Sequence, residues 1–192
     1  MSSFSQLTND LKNCRICEPH LPLGPRPVFQ LTPSASVLIV GHAPGKKVHE
    51  TGIPFDDASG KRLREWLGIS TELFYDASCI AILPMGLCYP GTGKSGDLPP
   101  RPECATTWHQ AVLSQLPDLK LKVLLGAYAQ AAYCSKEHKT LTERVAAWES
   151  YLPECIPLPH PSPRNNIWLK NNPWFVKDVL PTLKKQIDIA LS

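Results

Sequence analysis

No stretch of this chain approaches the ~20 consecutive apolar residues that a membrane helix requires. The opening MSSFSQLTND has no basic segment leading into an apolar one, so neither a membrane span nor a secretory leader is expected. Charge is also scarce. Twenty Lys+Arg oppose 17 Asp+Glu for a net +3, too little for histone-like wrapping, so any surface for nucleic acid has to be local. With 43% hydrophobic and 19% charged residues, the composition is that of a globular chain rather than a disordered one. A chain of 192 residues buries roughly 70% of its unfolded surface and needs no covalent staples. One domain over residues 1–192, in the cytoplasm, is therefore expected. Seven cysteines is an odd number, and without a leader a disulfide framework is not expected. Metal binding, a redox role and core packing stay open. Twenty prolines is about double the average usage, and most fall in three loops, at 19–33, 84–102 and 153–163.

Buried strands are announced by short continuous apolar runs: Ser36–Val40, 78–83, Leu121–Leu125 and Cys155–Leu158. Between them lie helical patterns. Phe4, Leu7 and Leu11 share a face; Ser59 can cap a helix carrying Leu63, Trp66 and Leu67 that stops at Gly68. Further helices are expected at 104–116, from Gly126 to Tyr133, at 141–149 and from Pro173, capped by Asn172, to about Ala190 with a kink at Pro181. The segments 41–57 and 84–103 read as loops. Strands alternating with helices predict an α/β fold, a three-layer α/β/α sandwich around a mainly parallel four-stranded sheet. Sites on such sheets form at the C-terminal strand ends, where the loops 41–57 and 160–165 begin.

Cys14 and Cys17 form a CxxC at the end of the first helix, and Cys88 and Cys104 lie in or beside the long loop. A redox pair is disfavoured, because a reactive thiolate wants a helix N-terminus. Four thiolates suit Zn or a 4Fe–4S cluster, and buried free thiols are the plain alternative. Cys79, Cys134 and Cys155 read as core. Two apparent phosphate loops fail. Gly91-Thr-Gly-Lys-Ser95 has Cys88 where the first glycine belongs and Pro99-Pro100 where the helix belongs. In Gly41–Lys46 the glycines are too close, and Lys47 stands where Ser or Thr is needed.

Gly41-His-Ala-Pro-Gly45 followed by Gly52-Ile-Pro-Phe55 describes a turn exposing backbone N–H groups with an aromatic ring nearby, a pocket able to bond and stack a planar polar ligand. Read alone, Phe55 serves equally well as core. In His160-Pro-Ser-Pro-Arg164 the prolines on both sides of Ser162 stiffen the loop and fix the direction of a histidine at a strand end, suited to stabilising developing negative charge.

Taken together, these segments resemble the uracil-DNA glycosylase superfamily, most closely its iron–sulfur, family 4 branch. That branch's GEAPG, GxPF and Ser/Ala-Gly-x-x-Leu pattern is matched by Gly41–Gly45, Gly52–Phe55 and Ser59–Leu63, and its HPS motif by His160–Pro163. Its cysteine order is matched by Cys14, Cys17, Cys88 and Cys104, and Leu121–Ala131 resembles its strand-Leu-Gly-x-x-Ala segment. The resemblance implies a monofunctional DNA glycosylase of base excision repair, hydrolysing the bond between sugar and uracil or a related deaminated base. It implies a 4Fe–4S cluster on the four cysteines, ahead of Zn, and damaged DNA as partner; a monomer is expected. The implied substrate contacts are Gly41, Ala43, Pro44, Gly45, Phe55, Ser162 and Arg164, with Arg164 at the wedge position. His160 would bond the departing base, and His42 stands where the branch has Glu or Gln. Asp56 or Asp57 would orient water, while Lys46, Lys47, Lys61 and Arg62 are candidate phosphate contacts. The branch's base-reading Asn aligns near Pro84, and no Asn occurs between 78 and 90. That departure motivates the alternative, a protein of the same fold that binds damaged or single-stranded DNA without releasing base.

Overall fold

The computed structural model describes residues 3–94, 96–135 and 137–192. Six strands occur among the described residues: β1 Val37–Val40, β2 Ile80–Ile82, β3 Thr92–Gly93, β4 Gly96–Asp97, β5 Leu121–Leu125 and β6 Cys155–Leu158. Four of them form one sheet in the order β2-β1-β5-β6, every pairing parallel. The register sets Val37 opposite both Ile80 and Leu121, and Lys122 opposite Cys155.

Alternation along β1 divides the core in two, because successive side chains of a strand point to opposite faces. Val37 and Ile39 join Leu63, Trp66, Phe175 and Leu183 beneath the helix Ala58–Leu67 and the C-terminal helix. Leu38 and Val40 face the other way, onto Leu7, Leu11 and Val112 of the N-terminal and Pro102–Leu113 helical segments. The result is the expected three-layer α/β/α sandwich. The outer edge of β2 is covered by the proline-rich segment: Gln30 exchanges backbone bonds with Ile82 at 2.7 and 2.9 Å, which removes an edge open to another chain.

Strands β5 and β6 and the helix Gly126–Tyr133 fall at their expected bounds. Elsewhere the structure corrects the sequence reading. Asp57, not Ser59, caps the helix Ala58–Leu67, its carboxylate accepting the Gly60 N–H at 2.8 Å, while Ser59 is buried inside the first turn. The 41–57 segment holds a helix, Lys46–Thr51, and Asn166–Asn171 is a second helix, too short to show a period in the sequence. The loop before Glu103 contains the β3–β4 hairpin; Ser95 within it lies outside the described residues, as do Met1 and Ser2 of the N-terminal stretch. Asn172 and Pro173 do start the last helix. The irregularity ahead of Pro181 is a wide π turn, Phe175–Val179, which absorbs the N–H that proline cannot supply. Among the described residues, no helix is long and apolar enough to cross a membrane.

Candidate active site

A pocket of about 40 Å³ opens at the C-terminal ends of β1, β2 and β6, walled by residues 41–45, Phe55, Asp57, Ser59, Pro84 and His160. Its floor follows from the chain's own ladder. The carbonyls of Gly41 and His42 are taken by the Met85 and Gly86 N–H groups at 2.9 and 3.0 Å, which holds the turn beside the end of β2.

Phe55 sits in the left-handed region, φ 57°, a conformation rare for a bulky residue and one that clusters at ligand sites. Two glycines make it possible. A Cβ on Gly60 would stand 1.7 Å from the Phe55 carbonyl oxygen, and one on Gly41 would stand 3.0 Å from the tip of the Phe55 ring. The ring also meets Phe74 edge to face at 6.1 Å. Gly60 thus belongs to the site, and its place in the Ser-Gly-x-x-Leu pattern was the sequence signal for it.

His160 is set by its own loop. The Ser162 N–H donates to Nδ1 at 3.3 Å, so the ring proton belongs on Nε2. Asn165 donates to the His160 carbonyl at 2.7 Å, Arg62 to the Ser162 carbonyl at 3.2 Å, and the Arg164 N–H to the Ser162 hydroxyl at 3.3 Å. Burial, helped by the neighbouring His42, pulls the His160 pKa down to about 4. At neutral pH it is an uncharged imidazole with one N–H to give. His42 faces it with ring centroids 6.5 Å apart and stacks edge-on against Tyr128 at 5.3 Å. Its pKa is also lowered by burial, partly offset by Asp97.

The expected water-orienting pair separates. Asp57 lies in the pocket wall but is engaged as a helix cap; Asp56 is outside the lining, with Lys47 at 3.8 Å. Arg62 likewise spends a donor on the histidine loop. Arg164 lies across the β3–β4 hairpin, where a Cβ on Gly96 (φ +124°) would fall 1.3 Å from its guanidinium. At the second strand's end Pro84 does line the pocket, and its carbonyl accepts from Nε2 of the buried His109 at 3.1 Å. The other His109 nitrogen meets the Tyr133 hydroxyl at 2.6 Å. That wall therefore offers an apolar ring and a carbonyl already occupied.

Away from the pocket, Cys17 and Cys104 are buried and Cys14 and Cys88 half-buried. Burial pushes the Cys88 thiol up to about 11 and Cys104 to about 12, and in both cases the charge of the other cysteines of this set adds to the rise. The four are thus electrostatic neighbours, although α-helix and long loop bring them from separate parts of the chain. Burial and the Glu103 carboxylate raise the Cys17 pKa, against a smaller lowering by its hydrogen bond to Arg101. Among the described residues, no three His, Cys, Asp or Glu side chains gather closely enough to hold a single metal ion. Cys134 and Cys155 hydrogen-bond each other at the far end of the sheet, with Cys155 buried, and Cys79 precedes β2 rather than lying in it.

A parallel sheet with a small pocket at its strand ends, lined by an aromatic ring and a neutral histidine, is an arrangement with the shape and polarity to accept a planar polar ligand. More specifically, the chain belongs to the uracil DNA glycosylase superfamily, whose family model matches residues 29–184.

Proposed function

We propose that this protein is a DNA glycosylase that extrudes uracil or a related deaminated base and hydrolyses its bond to deoxyribose. The observation that carries this reading is the pairing of His160 with the Phe55-floored turn. A flipped base stacks on Phe55 and meets the backbone of residues 41–45. As the glycosidic bond breaks, its electron pair passes to the base and the sugar becomes oxocarbenium-like. The Nε2–H of His160 donates to the base oxygen where negative charge collects, and, being aimed beforehand by the Ser162 N–H, needs no reorganisation. Water then adds to the sugar carbon, and its proton balances the departing base anion. Because the imidazole is neutral, it stabilises the anion as a hydrogen-bond donor rather than by ion pairing.

We further assign Cys14, Cys17, Cys88 and Cys104 to a 4Fe–4S cluster. Cys88 and Cys104, whose pKa values the other cysteines of the set help burial to raise, belong with Cys14 and Cys17 to an all-thiolate donor set, and a four-iron cubane holds its thiolates farther apart than a single tetrahedral Zn ion does. When bound there, it would serve a structural role, tying the N-terminal helix to the loop that carries the β3–β4 hairpin.

The test is single-turnover base release from single- and double-stranded oligonucleotides carrying uracil, hypoxanthine or xanthine. His160→Ala is expected to lose about 2–4 kcal/mol of transition-state stabilisation, a rate loss of roughly 30- to 1000-fold. An unchanged rate in that variant removes the role of His160. The apolar Pro84 wall favours one other reading, binding without catalysis. Tight, salt-dependent binding with no release of any base is its signature.

A further inference from the structure

Beside the base pocket runs a second, larger concavity of about 600 Å³, between residues 19–23 and the start of the β3–β4 hairpin, bordered by Leu98 and Lys46. Four features define what it can hold. It adjoins the base pocket directly: Gly45 lines the pocket and the next residue, Lys46, lines the groove. Its ionisable side chains are Lys46, His20 and Tyr89; no carboxylate is among the described residues that line it, and the nearest at the rim is Asp97, whose Oδ2 stands 3.4 Å from where a Cβ on Gly45 would be. The rest of its surface is proline and leucine together with Gly91 and Thr92, and Leu23 is 49% and Leu98 44% exposed. One end is closed where Pro22 packs on Gly91, so closely that a Cβ there would stand 3.1 Å from the proline ring.

We propose that this groove seats the nucleotide next to the extruded one on the same strand. The inference rests on the base-pocket reading above. A strand whose base enters the pocket must lead its neighbour out across the rim at residues 45–46. There Lys46 meets the linking phosphate and the apolar walls give the neighbouring base a face to lie on. The volume suits a nucleotide, since small-molecule pockets run from ~300 to ~1,000 Å³. Continuity with the base pocket and the absence of acidic lining favour a nucleic-acid strand over a peptide. Stacking on such walls tolerates any base, so the groove adds affinity without adding sequence preference.

The test uses full-length protein and single-stranded oligonucleotides holding one uracil, with an abasic spacer in place of the base on its 5′ side, its 3′ side or neither. Binding is read by fluorescence anisotropy and base release in parallel. Deleting the neighbouring base on one flank is expected to weaken wild-type binding about tenfold, and on the other flank to do much less. His20→Ala/Leu98→Ser is expected to bind the intact strand about tenfold more weakly and to lose its sensitivity to the spacer, as two partners of one contact must. Lys46→Ala serves as an independent variant, reducing the salt slope by about one unit for any sequence. Equal sensitivity on both flanks, or a double variant that keeps the full spacer effect, overturns the groove even if base release proceeds normally. A one-sided effect that disappears in the double variant supports it even if no base is released, an outcome that would overturn the proposed activity alone.

Discussion

Replacing His160 by Gln removes a group that the fold keeps uncharged, and the consequence can be worked out before the experiment. The unfolded chain binds a proton at this residue near pH 6.5, whereas the folded protein does so only near 4. A depressed pKa contributes stability that is complete above the unfolded value and is lost as pH falls toward the folded one. Between pH 7.5 and pH 5 the unfolded His160 becomes almost fully protonated while the folded one stays neutral. At about 1.36 kcal/mol per pKa unit, close to 2 kcal/mol of stability disappears over that interval on account of this residue. Urea unfolding at both pH values measures it. Wild type is expected to lose about 2 kcal/mol more than His160→Gln, a difference that subtracts the parallel contributions of His42, His49 and His109, whose pKa values are also lowered. The same neutrality predicts a base-release rate with no inflection near pH 6.5 arising from this imidazole. Equal losses in the two proteins would refute the buried, neutral histidine and with it the hydrogen-bond donor mechanism.

Gly60→Ala drives a methyl into the Phe55 carbonyl. It is expected to cost several kcal/mol in thermal unfolding, or to fold with the Phe55 floor displaced and base release abolished. Asp57→Ala removes the helix cap at 2.8 Å from the Gly60 N–H and should cost about 1 kcal/mol in urea unfolding. Arg62→Ala unties the Ser162 carbonyl; the single-turnover rate should fall severalfold while binding of the oligonucleotide hardly changes. Cys88→Ala is expected to lose iron, measured by metal analysis, together with visible absorbance. A colourless wild-type protein with one equivalent of zinc would contradict the cluster.

How much of this was legible beforehand depended on whether the physics was local. The four main strands showed themselves as short apolar runs because a parallel sheet covered on both faces needs nearly every residue of a strand to be apolar, Lys122 of β5 being the half-buried exception. Gly68 and the Asn172-Pro173 pair marked helix ends because capping is decided within one turn. The helix Lys46–Thr51 was hidden: only Val48 and His49 of its six residues are buried, too few to impose a period. The choice of Asp57 over Ser59 as cap followed from the sharp turn at Phe55, itself a product of packing against Gly41 and Gly60.

The motifs around Gly41, Phe55 and His160 announced a candidate site from the sequence, since residue type and spacing carry the chemistry that such a pocket needs. Geometry alone decided what each group is free to do. Only folding brought His42 within 6.5 Å of His160 and lowered both pKa values, because desolvation is a property of the assembled pocket and not of any segment. Only folding assigned Arg62 to the histidine loop, turned Pro84 into a wall with its carbonyl held by His109, and set the groove beside Lys46 one residue from the base pocket. Those are contacts between residues tens of positions apart, and nothing in the local sequence encodes their distance.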